Sequence, residues 1–427
     1  MIGLGAVGRT LLELWKLENF NVREIVAIEP RDVPKWCFEM YPNLQHIQKA
    51  LTKTNLTRTL SPLLMKQPFV VDVSVDVDAV KIMALCKKYK CHYMNTSVEG
   101  WEEKNPAILK TSRKELIKRS LVHREEQAEK AVGRTKTTML TNIGANPGLI
   151  SCLALKGMAD YTAKHGDKRA KELLQKEEYA KLARHINLEE IHISEIDTQV
   201  CTKPRPKGWF YNTWSAMGFI AEALDPIQMS DGSNRRQEGG GIVYKNMRIF
   251  PTRGMDQTCE SVVCGLKGET ITIEGYMIPH AEADTLSAFL TDGDYRPTIF
   301  YVYDCSKVGH ESLAEMRQNN YKPVPLEKCY VLENQDIKSG FDSLGALLLF
   351  PNCTWWCGTV LSINETRRLG FKHSAPTTVQ VAISMFNAMK YINRNKAEGF
   401  MEPEDLNWKT QIKGCEKYLG KLISKEL

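Results

Sequence analysis

In the first hundred residues, short runs that read as β-strands alternate with segments whose apolar residues recur every three or four positions. REIVAIE (23–29), PFVVDVSVD (68–76) and HYMNT (92–96) are strand candidates, whereas LLELWKLEN (11–19) and DAVKIMALCKKYK (78–90) have helical spacing. Strand–helix–strand alternation predicts a parallel sheet with helices on both faces. A charged helical stretch at about 107–132 precedes TKTTMLTNIG (135–144), a further strand candidate. GANPG (144–148) then reads as a turn, with a helix starting at Leu149.

From about residue 150 the pattern changes. A polar helical region (167–184) leads into IHISEIDTQV (191–200), which alternates as a strand, as do TITIEGYMIPH (270–280) and TIFYVYDC (298–305). NTWSAMGFIAEAL (212–224) has the look of an amphipathic helix, and RRQEGGGIVY (235–244) is a flexible glycine-rich connection. The expected fold is α/β: an N-terminal Rossmann-type parallel sheet (1–145) and a second, α+β domain for substrate (146–365). A C-terminal helical segment (366–427) is expected to pack back on the first domain.

Composition narrows this picture. A chain of 427 residues is too long for one core. Hydrophobic content of 43% and charged content of 25% are those of a globular protein. The net charge of +6 is spread along the chain, so no nucleic-acid partner is expected. No apolar run reaches membrane-spanning length, and the N-terminus lacks the pattern of a signal peptide. Twelve cysteines without C-x-x-C spacing fit reduced thiols in a cytoplasmic protein. The histidines, among them His165, His185 and His192, lack ligand spacing, and no metal is expected.

Gly3, Gly5 and Gly8 form G-x-G-x-x-G ahead of a helical pattern, with Ala6 and Val7 inside the loop. In a dinucleotide-binding unit the first glycine permits the tight turn and the second admits the pyrophosphate. The third lets helix and strand pack closely. Glu29 ends REIVAIE, 21 residues after Gly8, where an acid meets the ribose hydroxyls. A carboxylate there favours NAD over NADP, with Arg31 close by as a countervailing charge. Only Met1 and Ile2 precede Gly3, so the first strand is expected to be truncated or very short. DVSVD (72–76) and NTSVE (95–99) end the next strands at the ligand-binding edge. Val73, Ser74, Val75, Asn95 and Thr96 are thereby placed beside the cofactor, and Glu99 faces the reaction centre.

The second half carries the candidate chemistry. Ile191, Ile193, Glu195 and Asp197 share one strand face, and burying two acids there requires a cation. The plainer alternative is that the strand emerges into solvent after Ile193. Trp214, Gly218 and Glu222 are spaced by four on the expected helix, which would leave a groove between an indole and a carboxylate. Such a groove suits a slender dication, while core packing with a surface acid is the alternative. His280, at the end of TITIEGYMIPH, is either a proton relay near neutral pH or structural. Asn146 is either a catalytic amide or a turn residue beside proline, and Asp342 either a site acid or a helix N-cap.

Taken together, MIGLGAVGR, GANPGLIS, IHISEIDTQ, FYNTWSAMGF, GFDSLGALL and LSINETRRLG resemble, in this order along nearly the whole chain, the bacterial NAD-dependent homospermidine synthases. Their fold is related to saccharopine dehydrogenase. The resemblance implies oxidation of putrescine, or of spermidine as aminobutyl donor, to an imine. Attack by a second amine, release of ammonia or diaminopropane, and re-reduction by the same bound cofactor follow. It further implies a homodimer, a cation-stabilising role for Trp214, and substrate-binding carboxylates at Glu195 and Glu222. Glu99 and Asp342 match further acids, Asn146 an asparagine beside the reacting centre and cofactor, and His280 the active-site histidine. Two features depart from the family pattern: the short stretch before Gly3, and Glu29 where aspartate is usual. A saccharopine- or carboxynorspermidine-type reductase, or a non-catalytic NAD-binding sensor, are the competing readings.

Overall fold

The computed structural model describes residues 1–101, 112–234, 240–395 and 397–427. The connection expected at 235–244 and the start of the helix expected at about 107–132 lie partly outside the described residues. The remainder of that helical stretch is two helices, Arg113–Lys118 and Leu121–Val132.

The expected parallel sheet is present. Ile25–Ile28 pairs with Leu44–Ile47, while Val70–Asp72, Tyr93–Asn95 and Met139–Leu140 pair in succession, all parallel. Ile2 joins the two groups by bridging Ile28 on one side and Asp72 on the other. Its N–H donates to Val71 O and its carbonyl accepts from Val73 N, both at 2.8 Å. The resulting order is that of a doubly wound dinucleotide-binding sheet, with one residue serving as the first strand. Helices Leu56–Leu64 and Ala79–Tyr89 cover one face, burying Leu60, Ile82 and Met83 against Ile2, Ile28 and Val70. Asp78 starts the second of these by accepting from Lys81 N at 3.0 Å.

The second half is built on a seven-stranded mixed sheet. Glu190–Asp197 lies near its middle, parallel to Thr298–Asp304 and antiparallel to Phe341–Phe350. The sheet rolls up. Its edge strand Thr258–Cys264 curls over, so that Ser194 Oγ donates to Val262 O (2.8 Å) and Ser343 Oγ to Cys264 O (2.7 Å). From the opposite edge, Lys425 Nζ reaches Gly268 O at 2.7 Å. Val302, Leu347 and Trp356 fill the inside of the roll. The outside carries Ile191, Ile193, Tyr301 and Leu344, which join the core containing helix Leu149–His165.

Three expectations about elements are corrected. The helix expected at 212–224 is only Ala216–Leu224, because Ser215 Oγ accepts from Gly218 N (3.0 Å) and caps it there; Trp214 lies outside it. The strand expected to end at His280 stops at Tyr276, and His280 precedes a short 3-10 turn, Ala281–Ala283. Asp342 caps no helix; it lies in the strand Phe341–Phe350.

The C-terminal segment is not wholly helical either. Helix Pro376–Arg394 packs along Ala6–Leu17, with Thr10 Oγ1 donating to Thr378 Oγ1 at 3.1 Å. Phe400–Met401 then adds a strand to the parallel sheet. After Gly420 turns the chain at φ +68°, Lys421–Glu426 becomes an edge strand of the other sheet and tucks Ile423 into its roll.

Candidate active site

The carboxyl edge of the parallel sheet and the outer face of the rolled sheet enclose a cavity with about 880 Å³ of empty space, its mouth included. On the first side it is lined by Val7, Val73, Ser74, Val75, Thr96 and Glu99. On the second side stand Asn146, Glu195, Trp214, Glu222, His280 and Asp342. The structure therefore brings Glu99, Glu195, Glu222, Asp342, Trp214 and His280 to one chamber, while Glu29 and Asp197 lie outside its lining.

The glycine loop opens beside it. Gly3 has φ +82°, and a Cβ there would lie 2.7 Å from Val73 O; at Gly8 it would lie 2.9 Å from Gly3 O. Helix Ala6–Leu17 begins at Gly5 without a side-chain cap, leaving its first N–H groups to an anion. Val7 carries the loop to the cavity wall, so the residues present fit a dinucleotide. Gly3→Ala is expected to cost about 1–3 kcal/mol through this backbone strain, read as a lower melting temperature. Asn95 is a correction: its Oδ1 accepts from Asn142 N (3.0 Å) and its Nδ2 donates to Tyr93 OH (3.1 Å). It ties adjacent strands together and is not among the residues lining the cavity.

Glu195 is 4% exposed, so its strand does not emerge into solvent. Its Oε2 accepts from Tyr301 OH at 2.7 Å and from Asn146 Nδ2 at 3.4 Å. Burial lifts its carboxyl to about 7, against the pull of those two donors. Asp342 is pushed up strongly by burial and by the charges of Glu195 and Asp197. Asp197, on the same face, is locked beside the cavity: Thr213 Oγ1 donates to it, as do Gln199 N (2.8 Å) and Nε2 (2.9 Å). Across the chamber Glu99 accepts from Asp76 N at 2.9 Å, and burial raises it to about 7.

His280, for which the sequence left a relay and a structural role open, stands between two acids. Burial opposes its charge, but the carboxylates of Glu222, 3.5 Å from Nε2, and Glu282, 3.6 Å from Nδ1, outweigh that and raise it to about 10. It is an imidazolium at neutral pH and does not titrate there. Glu282 was not legible in the sequence; its other oxygen accepts from Gly148 N at 2.9 Å, tying the histidine to the GANPG turn. Trp214 donates from Nε1 to Tyr303 OH at 3.0 Å. A Cβ on Gly218 would approach its ring to 3.2 Å, so the glycine makes room for the indole itself rather than opening a groove beside it.

The comparisons agree with this geometry. The family model for the saccharopine dehydrogenase NADP binding domain matches residues 1–138, and that for the saccharopine dehydrogenase C-terminal domain matches residues 144–427. The homospermidine synthase of Mesorhizobium japonicum is 30% identical over 98% of this chain and 88% of its own length. The chain belongs to the homospermidine synthase family. A second family member, from Blastochloris viridis, is 30% identical over 99% of this chain and 90% of its own. The Legionella pneumophila homospermidine synthase, solved in complex with NAD, matches with a TM-score of 0.84 and 26% identity, covering 100% of this chain and 90% of that one. Yeast saccharopine dehydrogenase (TM-score 0.56, 10% identity, 100% of this chain and 98% of that one) shares the fold.

Beyond the residues expected of a homospermidine synthase, the cavity is lined by Tyr301, Thr377 and Gln380. Tyr301 was legible in principle, since TIFYVYDC alternates and its register against Glu190–Asp197 puts Tyr301 and Tyr303 on the outer face. Thr377 and Gln380 arrive on the C-terminal helix, and no local pattern announces them. Asn146 Oδ1, Asp342 Oδ1 and Gln380 Nε2 have no hydrogen-bond partner among the described residues. Among those residues, His165, Cys353 and Glu426 have ligand atoms close enough to hold a metal, but Lys164 Nζ already sits 2.5 Å from Glu426 Oε2. No helix among the described residues is long and apolar enough to cross a membrane.

Proposed function

We propose that this protein makes homospermidine by NAD-dependent aminobutyl transfer between two putrescines, or from spermidine to putrescine. The observation that carries the reading is the composition of the cavity wall. Four carboxylates (Glu99, Glu195, Glu222 and Asp342) face an indole, and no lysine or arginine is among the described lining residues. A saccharopine- or carboxynorspermidine-type reductase needs cationic side chains for its substrate's carboxylates; this chamber suits a slender dication.

The loop Gly3–Gly8, Glu29, the edge Val73–Val75 and Thr96 would hold NAD, which when bound would supply the hydride acceptor and the later hydride donor. The residues do the rest. Glu222, Glu99 and Asp342 hold the distal ammonium, so the diamine lies along the chamber with its reacting carbon toward the dinucleotide side. Glu195 takes the proton from the reacting nitrogen, because only a neutral amine releases hydride. Trp214 presents its ring face to the iminium carbon's charge. Asn146 fixes the nitrogen, and His280, 3.5 Å from Glu222, holds that carboxyl in place and works against the upward push of its burial. The buried walls exclude water, which would hydrolyse the imine to an aldehyde. A second amine then attacks the imine carbon, ammonia leaves, and Glu195 moves the proton again as the new imine is reduced. The homodimer and the cytoplasmic location belong to this proposal.

Incubation of the purified protein with putrescine and NAD⁺, followed by polyamine chromatography, is expected to yield homospermidine. A folded, NAD-bound protein that forms none overturns the reading and leaves the sensor alternative. Binding has its own signature. Glu195 and Glu99 have folded values near 7, above the reference of 4.5. The stability they contribute is therefore full below about pH 4.5 and is lost as pH rises through 7. A diamine offsets that loss, so the rise in melting temperature produced by putrescine is expected to be larger at pH 8 than at pH 5.5. A pH-independent increment would place the diamine away from these acids.

A further inference from the structure

The acid assigned to the ribose has a base beside it, and the structure joins the two. Glu29 Oε2 accepts from Leu4 N at 3.0 Å, which fixes the carboxylate to the glycine loop. Its Oε1 accepts from Arg31 N (3.2 Å) and from Arg31 Nε (2.8 Å). Both oxygens are thus engaged. Burial works against the charge of Glu29, but the Arg31 donors and the loop amide outweigh it and hold the carboxyl below its ordinary range. The Arg31 side chain is 47% exposed, and its Nη2 lies 3.2 Å from where a Cβ on Gly5 would sit. A planar cation therefore stands over the middle glycine, joined to the acid assigned to the ribose. An isolated carboxylate there repels a 2′-phosphate, whereas one neutralised by a guanidinium does not, and arginine is the side chain best shaped to receive phosphate oxygens.

We propose that Arg31 is the specificity-determining residue of the dinucleotide site, admitting NADP as well as NAD by receiving the 2′-phosphate on its guanidinium. The inference rests on reading the glycine loop as a cofactor site. Glu29 and Arg31 have opposed tasks: the carboxylate serves the free ribose hydroxyls, and the guanidinium serves the phosphorylated ribose. The half-exposed arginine reorients for either without disturbing Leu4, because the loop is held by the other carboxylate oxygen.

The test is calorimetric binding of NAD⁺, NADP⁺, 5′-AMP and adenosine 2′,5′-bisphosphate to the purified full chain. Wild type is expected to bind NAD⁺ more tightly, with NADP⁺ within about tenfold. Arg31→Gln is expected to weaken NADP⁺ and the bisphosphate by about tenfold or more, while NAD⁺ and 5′-AMP change by less than about threefold. Arg31→Lys should recover part of the loss, and Glu29→Gln should invert the preference toward NADP⁺. Equal weakening of all four ligands by Arg31→Gln would mean that the arginine only shapes the loop, and the proposal falls. It falls also if wild type binds NADP⁺ more than about a hundredfold more weakly than NAD⁺ and Arg31→Gln leaves that ratio unchanged. A wild type that binds neither dinucleotide would remove the cofactor reading itself, an outcome distinct from a normal NAD⁺ affinity with no effect at Arg31.

Discussion

Trp214→Leu is expected to cut homospermidine formation by about thirtyfold or more while leaving NAD⁺ affinity close to wild type. The indole forms a wall of the chamber, fixed by its hydrogen bond to Tyr303 OH and seated on Gly218. A desolvated cation over an indole is worth about 2 kcal/mol, and if that stabilisation is made mainly with the developing iminium, it appears in kcat as about thirtyfold. Leucine fills part of the space but has no ring face. Phenylalanine keeps a ring without the N–H, so Trp214→Phe should recover a substantial part of the rate. The checks are product yield by polyamine chromatography, NAD⁺ titration and a melting curve on the same preparations. Wild-type turnover in the leucine variant would remove the cation-stabilising role.

Glu195→Gln is expected to lower kcat/KM by about a hundredfold to ten-thousandfold, the usual worth of a positioned general base. An aliphatic ammonium resembling lysine has a pKa of about 10.4, so a surface carboxylate would be a poor acceptor for its proton. Burial brings Glu195 to about 7, nearer the amine. In the free protein the carboxyl is ionised above that value and accepts the proton; below it the group is already protonated. The wild-type kcat/KM should therefore fall about tenfold per pH unit below pH 7, and the fall should disappear in the glutamine variant. An unchanged acid limb would assign the base to another group, with the neighbouring Asp342 first in line.

Local signals carried the first half of the molecule. Apolar periodicity marked its strands and helices, and the spacing of Gly3, Gly5, Gly8 and Glu29 marked the loop. A parallel sheet needs only successive strands and crossovers to be inferred. The second half was legible as strands but not as a roll, because the contacts that curl it, such as Ser343 to Cys264, join residues far apart in the chain. At the site, residue types were visible while their states were not. His280 reads as a neutral-pH relay until Glu222 and Glu282 are placed beside it. Asn95 reads as a ligand residue at a strand end until Asn142 claims its oxygen. Trp214 was singled out through a helical stripe that the Ser215 cap interrupts, so the residue reached the cavity wall by a route the spacing argument did not contain.

The path of the C-terminal segment bears on how the molecule is assembled during synthesis. The parallel sheet receives its edge strand from Phe400–Met401, and helix Ala6–Leu17 receives its cover from Pro376–Arg394. Strand Lys421–Glu426 then returns to the rolled sheet. Residues 1–145 alone cannot finish the dinucleotide half, because Leu11 and Leu14 join a core to which Val379 and Phe386 also belong. That half is begun first and completed only after the central strands of the rolled sheet have been made. An excised N-terminal fragment would lack both the cover and the edge strand, and the two halves of this protein are folding partners before they are the two walls of a site.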